Sequence, residues 1–449
     1  MRSVRRIVVI SLVLALLPSM GWAGSTDWSA MGKWLKMTEK QKAIPPGTTI
    51  TMSNWRDYQD VMPLGMIEMF KGSYGWKMPQ DIEIPVGPTH TGNFLPKTWV
   101  AATEKYGPQT SFKILPNGHY LLQNYHGGTP FPNPQEPHKG WKILCNIYFG
   151  FVPALYANGE DNYATVWAID RYHDITSSTL TLVYRWSSYI TDPGFPKEET
   201  YAPGTWYTEW AMQITPEQAK YTASLSLFYK DMEAHPFPDT YVFVPALRRS
   251  LRLSTTSRCS PVFGFDWTYD DAKTNGFNGT TSVYTGKYLG NRKILTLSVF
   301  NQEGHAMPQG YLMPLAFPKP SWGKWEVRPM VLDDITRIPS MSAGYCYNHR
   351  VVYADPTFWD GDWVDLFDSN NKLWKSIAYF NQIGNVPGLG RTWMGVASMA
   401  WDLQNTHVTV WSGYGNPKAL LPYLDHNAPK QYFNGVRYGS PSGLMSIMR

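Results

Sequence analysis

The feature that most constrains the fold is a change of hydrophobic period near Phe112, after which short segments alternate apolar and polar side chains. A period of two is the pattern of a β-strand lying on a core. Residues 111–115 and 119–124 flank Pro116-Asn117-Gly118, which predicts a hairpin. Further strands are predicted at residues 163–170, 179–190, 205–214, 223–230, 241–245, 293–300, 324–332, 345–353, 363–367, 373–380, 392–402 and 407–411. So many strands with mainly short connections predict a mainly β (α+β) chain: one large antiparallel sheet, curved or partly closed, with a few covering helices.

The first 23 residues predict a secretory signal peptide. Arg2, Arg5 and Arg6 precede an apolar run at residues 7–17, and Gly21-Trp22-Ala23 provides small residues for cleavage. No second run of about 18 apolar residues follows, so the mature chain is expected to be soluble.

Three regions are expected in the mature chain. Residues 24–95 form a helical and extended arm, in which Asn54 caps a short helix through Val61 and another helix begins after Pro63. Residues 96–412 form the sheet domain, which begins with a helix at 96–106 and contains a long loop at 127–140. Residues 413–449 are rich in turn residues and are expected to wrap the surface.

Charge and cysteine content exclude some classes of function. The 40 basic residues nearly balance the 35 acidic ones, which gives no electrostatic case for nucleic acid. Cys145, Cys259 and Cys346 match no zinc spacing, and their odd number allows at most one internal disulfide, whose pairing stays open. The outstanding feature is 15% aromatic residues, which stack on sugars, gird membrane barrels, line apolar cavities or simply pack a core.

Acidic residues are the main candidates for chemistry, and none gives a strong signal. Asp360-Gly361-Asp362 with Asp365 and Asp368 does not fit a calcium loop, and we interpret these acids as turn and solvent-facing residues. Asp270-Asp271 and Asp333-Asp334 could supply a glycosidase acid and base, but adjacent strand residues face opposite ways. No HExxH, GxSxG, GxxxxGK[ST] or GxGxxG pattern suits a metal, nucleophile or phosphate. We therefore expect no enzyme activity, no metal and no cofactor.

The stretch 239–279 combines three kinds of residue in close succession. Its first part alternates as a strand, with Tyr241 and Phe243 on one side. A cationic cluster follows at Arg248, Arg249 and Arg252. An aromatic and acidic turn region then closes the stretch, at Trp267, Tyr269, Asp270, Asp271, Phe277, Asn278 and Gly279.

This stretch resembles a periplasmic bacterial family, domain of unknown function 1329, often labelled outer-membrane lipoprotein-sorting protein. The family has an aromatic-x-aromatic-x-Pro strand, a run of arginines, and an acidic turn that closes on Phe-Asn-Gly. Further matches are Thr129-Pro130-Phe131-Pro132, Trp141, Asn146, Trp325-Glu326-Val327-Arg328, His349-Arg350, Tyr353, Asp355, Trp359, Phe367-Asp368 and Leu373-Trp374-Lys375. The sequence departs from the pattern at Ala246-Leu247, Leu251 and Asn371.

The resemblance implies a fold like that of the lipoprotein carriers LolA and LolB, which is an incomplete barrel with helices across an apolar cavity. It also implies a periplasmic location and a partner among exporters of the resistance-nodulation-division type or at the outer membrane. No reaction is implied.

Our hypothesis is a soluble carrier or chaperone for a lipid, an acyl chain or a similar hydrophobic ligand. Tyr241, Phe243, Trp267, Tyr269 and Phe277 would line the cavity or its rim, while Arg248 and Arg249 would contact a ligand head group. One alternative is that these arginines form a structural network with Asp270 and Asp271. Two other classes of function are also considered: a carbohydrate-binding protein or carbohydrate-active enzyme, and, on weaker grounds, an outer-membrane barrel.

Overall fold

The computed structural model describes residues 28–92, 94–158, 163–201, 203–254, 258–273, 275–300, 307–386, 388–412, 423–424 and 428–447. The predicted signal peptide and parts of the predicted C-terminal segment lie outside the described residues. Within the described ranges, no helix is long and apolar enough to cross a membrane.

Most of the regular structure is β. The strands are β1 (Thr49–Thr51), β2 (Glu83–Pro85), β3 (Ser111–Ile114), β4 (Tyr120–Gln123), β5 (Leu155–Asn158), β6 (Ala164–Ile169), β7 (Ile175–Trp186), β8 (Thr205–Thr215), β9 (Ala223–Tyr229), β10 (Asp239–Val244), β11 (Arg249–Arg252), β12 (Tyr284–Phe300), β13 (Tyr311–Leu312), β14 (Phe317–Pro318), β15 (Gly323–Arg337), β16 (His349–Asp355), β17 (Asp360–Phe367), β18 (Leu373–Val386), β19 (Gly390–Asp402), β20 (His407–Ser412) and β21 (Tyr423–Leu424). The helices are α1 (Ser29–Met37), α2 (Leu64–Lys71), α3 (Lys97–Tyr106), α4 (Lys139–Tyr148), α5 (Gly435–Gly439) and α6 (Pro441–Met445).

Fifteen of these strands form one antiparallel sheet. Its order is β11-β10-β9-β8-β7-β6-β20-β19-β18-β17-β16-β15-β12, with β5 beside the second half of β7 and β21 beside β5. The end strands β11 and β12 do not pair with each other in the part of the chain described, so the sheet is open. The predicted class, a large unclosed antiparallel sheet with few helices, is confirmed.

The sheet is strongly curved. Trp363 on β17 donates its indole N–H to the carbonyl oxygen of Leu295 on β12 at 3.1 Å, although β15 and β16 lie between these strands in the sheet. Such a contact requires the sheet to bend toward the face that carries Trp363. Stacked rings fill this side, among them Trp325 and Trp363 at 6.4 Å and Trp363 and Trp401 at 5.9 Å. Core packing therefore explains much of the aromatic content.

We call the face that carries Trp363 the outer face and the opposite one, which carries Tyr379 on β18 and Ala211 on β8, the inner face. Trp363 pairs with Ala378, so Tyr379 points the other way. On β17 and β18 residues of both faces belong to one large core, which we call the inner core, whereas around β8 the two faces belong to separate cores.

On β8, Ala211 belongs to the inner core, while its neighbours Trp210 and Met212 belong to a second core on the outer face. The outer core is completed by Tyr432, Tyr438 and Leu444 of the C-terminal segment. The predicted arm packs into the inner core, for example through Trp34, whose indole N–H donates to Met62 O at 2.9 Å.

Helix α4 was not predicted, and it closes one part of the inner face. It follows the predicted proline- and glycine-rich loop and packs on β12, where Gly140 meets Gly286. A Cβ on either glycine would collide with the backbone of the other, so this close approach depends on both. The short helix predicted at residues 54–61 is instead two 3-10 turns, Trp55–Asp57 and Gln59–Val61.

Candidate functional site

The cationic cluster lies at an exposed corner of the sheet. Arg248 ends the turn between β10 and β11, Arg249 begins β11, and both side chains are exposed. Arg252 pairs with Asp239 across the hairpin. The alternative network of these arginines with Asp270 and Asp271 is therefore wrong, because neither acid contacts them.

Tyr241 and Phe243 face the outer core. Phe243 is 2% exposed and pairs in register with Ala223, and both belong to the outer core; Tyr241 packs against the same core. They are thus separated by the sheet from Trp267 and Phe277, which belong to the inner core. The five aromatic residues predicted to line one cavity do not share one face.

Residues 258–273 and 275–281, which we call the crossing segment, run over the inner face. Asp266 N donates to Thr409 Oγ1 on β20 at 3.1 Å, and Tyr379 on β18 donates to Asp271 O at 2.7 Å. Further along, the Asn275 side chain donates to Ile147 O of α4 at 2.5 Å. A disulfide between Cys259 and Cys346 attaches the beginning of the segment to the chain just before β16. The segment is therefore anchored from one side of the curved sheet to the other.

The paired acids Asp270 and Asp271 hold this segment in place. Arg258 Nε donates to Asp270 Oδ1 at 2.6 Å, and Arg350 Nη2 donates to Asp271 Oδ1 at 2.6 Å. Burial alone would raise the pKa of Asp270, but Arg258 and Arg337 outweigh it, and the pKa falls to about 2. Both acids are ionic anchors in the interior and are not open to a sugar.

An apolar cavity lies between the crossing segment and the sheet. The cavity has a volume of about 90 Å³, and the empty space that includes its opening to solvent is about 640 Å³. Its lining includes Val166, Leu180, Leu182 and Ala211 from the inner face and Phe265 and Trp267 from the crossing segment. Of the seven predicted site residues, Trp267 is the one that lines this cavity. We call it the inner cavity.

A second, smaller cavity adjoins it. Its lining includes Phe151, Val152, Pro153 and Asp360, and it shares Tyr184, Lys273 and Trp411 with the inner cavity. Because the two cavities share lining residues, they lie next to each other, and Lys273 lines both.

Lys273 is a buried cation, 4% exposed, that no sequence pattern identified. Its Nζ donates to Tyr148 O at 2.8 Å and lies 5.2, 5.4 and 5.1 Å from the ring centres of Tyr148, Trp206 and Tyr207. It makes no salt bridge with any carboxylate of the described residues. Burial lowers the pKa of Lys273, although Glu209 and Asp360 oppose this shift.

Among the acids near Lys273, Glu209 has the largest electrostatic effect on it. Burial raises its pKa, against a 2.9 Å hydrogen bond from Asn278 Nδ2 and the charge of Lys273. Its Oε1 has no hydrogen-bond partner among the described residues. The interior thus contains a cation and an acid that only partly compensate each other.

The acids of β17 do not face solvent, so that expectation was wrong. Asp360, Asp362 and Asp365 are 6%, 1% and 0% exposed. Burial, with help from neighbouring Asp355, raises the pKa of Asp362 to about 8, and burial raises that of Asp365 to about 6. Asp368, in the following turn, accepts backbone bonds from Asn370 and Lys372 as a turn residue does. No group of side chains in the described ranges is arranged to hold a metal ion.

The remaining predicted residues are structural. Phe277 is fully buried and contacts Tyr284, with ring centres 5.0 Å apart, and Arg350 lies over its ring at 5.5 Å. Tyr269 is partly buried, and its carbonyl accepts from Arg258 at 2.8 Å.

Sequence reasoning missed Arg258 and Lys273. Lys273 bonds to Tyr148, which is distant in the chain. Arg258, in contrast, bonds to Asp270, Tyr269 and Asn278 within the crossing segment, and no sequence pattern indicated it.

Comparisons with known proteins give a family and distant structural neighbours. Residues 49–435 match the family described as "Protein of unknown function (DUF1329)". A comparison with curated proteins gave no match. A putative outer membrane lipoprotein-sorting protein domain from Vibrio parahaemolyticus is similar at 13% identity and TM-score 0.45, over 66% of this chain and 96% of that one. A DUF1329 family protein from Desulfovibrio piger is similar at 14% identity and TM-score 0.44, over 68% and 100%. A LolA superfamily protein from Nitrosomonas europaea is similar at 13% identity and TM-score 0.35, over 59% and 86%.

Proposed function

Because the chain belongs to the DUF1329 family of proteins of unknown function, as its sequence predicted, its activity has to be argued from its own site, and we propose that it is a carrier for a hydrophobic ligand. The observation that supports this proposal is the inner cavity, whose walls are mainly apolar and contain few polar groups. Binding sites for small molecules have this composition.

A carrier has a clear physical task. Each methylene transferred from a membrane into water costs about 0.8 kcal/mol, so a long acyl chain leaves a bilayer very slowly without help. An apolar cavity removes that cost. Since the inner cavity is smaller than the roughly 300–1,000 Å³ typical of drug-sized sites, we propose that it takes the end of a chain, with the remainder extending past its opening.

The proposed location is the periplasm. The predicted signal peptide supports export, and the disulfide between Cys259 and Cys346 is suited to an oxidising compartment. A periplasmic carrier needs a donor and an acceptor, and the family resemblance suggests an exporter of the resistance-nodulation-division type or an outer-membrane component as its partner.

The alternative of a carbohydrate-binding or carbohydrate-active protein gains no support. Asp270 and Asp271 are bound to arginines, and Asp333 and Asp334 are 0% and 4% exposed. The exposed large apolar residues of the described chain include two tyrosines, Tyr172 and Tyr221, but no tryptophan.

Native mass spectrometry of the mature protein, purified without detergent, tests the proposal. We expect a discrete added mass that corresponds to a retained lipid. Ala211→Phe would fill the cavity and remove the added mass, while the protein keeps its circular dichroism spectrum. Absence of bound lipid in the wild type, together with no binding of added acyl chains, would contradict a carrier role.

A double variant, Arg248→Ala/Arg249→Ala, tests the predicted head-group role of the arginines. Both side chains are exposed at the hairpin corner and neither lines the inner cavity. We expect the double variant to fold and to retain the ligand. Loss of ligand from a folded double variant would show that these arginines bind it after all.

A further inference from the structure

The two cavities share a buried lysine that forms no salt bridge within the described residues. This residue, Lys273, is 4% exposed. One of its three N–H donors is used, by Tyr148 O at 2.8 Å. A buried cation whose donors are not all bonded is costly, and an anion placed beside it would relieve that cost.

A second donor in the same lining is also without a partner. Trp267 is 6% exposed and lines the inner cavity, and its indole N–H has no hydrogen-bond partner in the part of the chain described. Indole can only donate, so the group that would satisfy it is an acceptor. Two unsatisfied donors, one of them charged, therefore belong to the wall of one apolar cavity.

Two neighbouring acids do not reverse this polarity. Asp271 also lines the inner cavity, but its carboxylate accepts hydrogen bonds from Arg350 at 2.6 Å and from Thr268 at 2.8 Å. The charge of Asp271 is balanced by that arginine.

Asp360 lines the second cavity beside Lys273, and burial together with Asp362 and Asp355 raises its pKa well above the ordinary value. The shift favours the protonated carboxyl, which presents an O–H donor as well as an acceptor. The ammonium of Lys273 and the indole N–H of Trp267 therefore remain donors of the lining.

We propose that Lys273 and Trp267 bind the carboxylate of a long-chain carboxylic acid, whose chain end enters the inner cavity. The inference deepens the proposed carrier function and depends on it. A carboxylate is an acceptor with two oxygens, and its bonds to charged donors are stronger than those between neutral groups. The apolar residues of the inner face, such as Leu180 and Leu182, then contact the methylenes.

The main alternative is a ligand with a cationic head group. Lys273 is surrounded by aromatic rings and acids, and such surroundings also suit a quaternary ammonium group. That position is already occupied by the protein's own ammonium, with its Nζ 5.1–5.4 Å from three ring centres. A second cation there would be repelled.

Isothermal titration calorimetry with three ligands of equal chain length tests this inference on the full mature protein. The ligands are laurate, dodecanol and dodecyltrimethylammonium, each kept below its micelle concentration. We expect laurate to bind about tenfold to a hundredfold more tightly than dodecanol, as bonds to a charged group imply. We expect dodecyltrimethylammonium to bind more weakly than dodecanol.

Two variants assign the selectivity to residues. Lys273→Met keeps the length of the side chain and removes its charge, so laurate should fall to the affinity of dodecanol while dodecanol itself changes little. Trp267→Phe keeps an aromatic ring and removes the N–H, and it should reduce laurate binding by about twofold to tenfold with dodecanol unaffected. Selective loss in Trp267→Phe supports the inference even where Lys273→Met does not fold.

The outcomes separate the two proposals. If dodecanol binds and laurate binds no better, the carboxylate inference is wrong and the carrier function stands. If the quaternary ammonium ligand binds most tightly, the inference is likewise overturned. If none of the three ligands binds the wild type, the carrier function itself fails.

Discussion

Two groups of acids are buried to a similar extent on one sheet and its crossing segment, yet they carry different charges. Asp270 is 1% exposed, and its pKa is lowered to about 2, because Arg258 and Arg337 outweigh its burial. Asp362 is also 1% exposed, and its pKa is raised to about 8, because burial and Asp355 outweigh Arg328. Arg328 donates to Asp355 at 2.6 Å and is thereby engaged elsewhere.

The comparison shows that burial alone does not set the charge of an acid in this protein. A guanidinium bonded to the carboxylate lowers its pKa, and without one burial raises the pKa. The first group anchors the crossing segment, and Asp360 of the second lines the smaller cavity. Removing arginines from the first group and acids from the second should therefore have different consequences.

The largest effect is expected from Arg350→Met. It leaves Asp271, which is 0% exposed, without its ionic partner, and breaking one side of a buried pair costs about 3–5 kcal/mol. Urea denaturation measures the free energy of unfolding. The double variant Arg350→Met/Asp271→Asn should recover part of this loss, and a loss below about 1 kcal/mol in the single variant would contradict the anchoring role.

A smaller effect on the free energy of unfolding is expected when the pH is lowered. Asp270 has a lowered pKa in the folded state, so its contribution is full above the unfolded pKa near 4 and is lost as the pH falls toward 2. The shift corresponds to roughly 2–3 kcal/mol. Asp270→Asn should therefore be less stable than the wild type at pH 6, and the difference should shrink by that amount at pH 2. A constant difference across this range would show that Asp270 is not held ionised.

Asp362→Asn is expected to show the opposite pH dependence. A raised pKa gives stability that is full below the unfolded pKa and is lost as the pH rises through about 8. The wild type should therefore lose stability relative to Asp362→Asn between pH 7 and pH 9, by about 1–2 kcal/mol, which corresponds to the roughly one pH unit between pH 7 and the pKa of about 8. Thermal unfolding at several pH values measures this difference. A wild type that gains relative stability toward pH 9 would mean that Asp362 is ionised.

The smallest effect is expected from Arg252→Ala. This arginine also pairs with an acid, Asp239, but its side chain is 60% exposed. Exposed pairs contribute about 0–1 kcal/mol, because water and salt screen them. Comparing the free energies of unfolding of Arg252→Ala and Arg350→Met separates the effect of burial from the effect of pairing. A cost close to that of Arg350→Met would remove the distinction.

The sequence predicted the sheet well where alternation is regular. The strand predicted at residues 205–214 is β8, Thr205–Thr215, and that at 407–411 is β20, His407–Ser412. Helix α4 was missed although Lys139, Lys142 and Asn146 recur at helical spacing, because it is only 10 residues long and directly follows a loop rich in proline and glycine.

The site was predicted less well, for a physical reason. Alternation assigned Tyr241 and Phe243 to one face but could not say which core that face meets. The partners of Asp271 and Lys273 lie 79 and 125 residues away in the chain, at Arg350 and Tyr148. The sequence does not distinguish a buried lysine from a lysine in a polar turn, because only the fold brings the aromatic rings around it.

An open sheet leaves a row of unpaired amides and carbonyls at each end, which another chain could extend. The end strand β11 is four residues long; Arg249 begins it directly after Arg248 at the turn, and Arg252 ends it on the opposite face. Short, charged edge strands resist addition of a further strand. The arginines of this edge therefore disfavour edge-to-edge joining of neighbouring molecules.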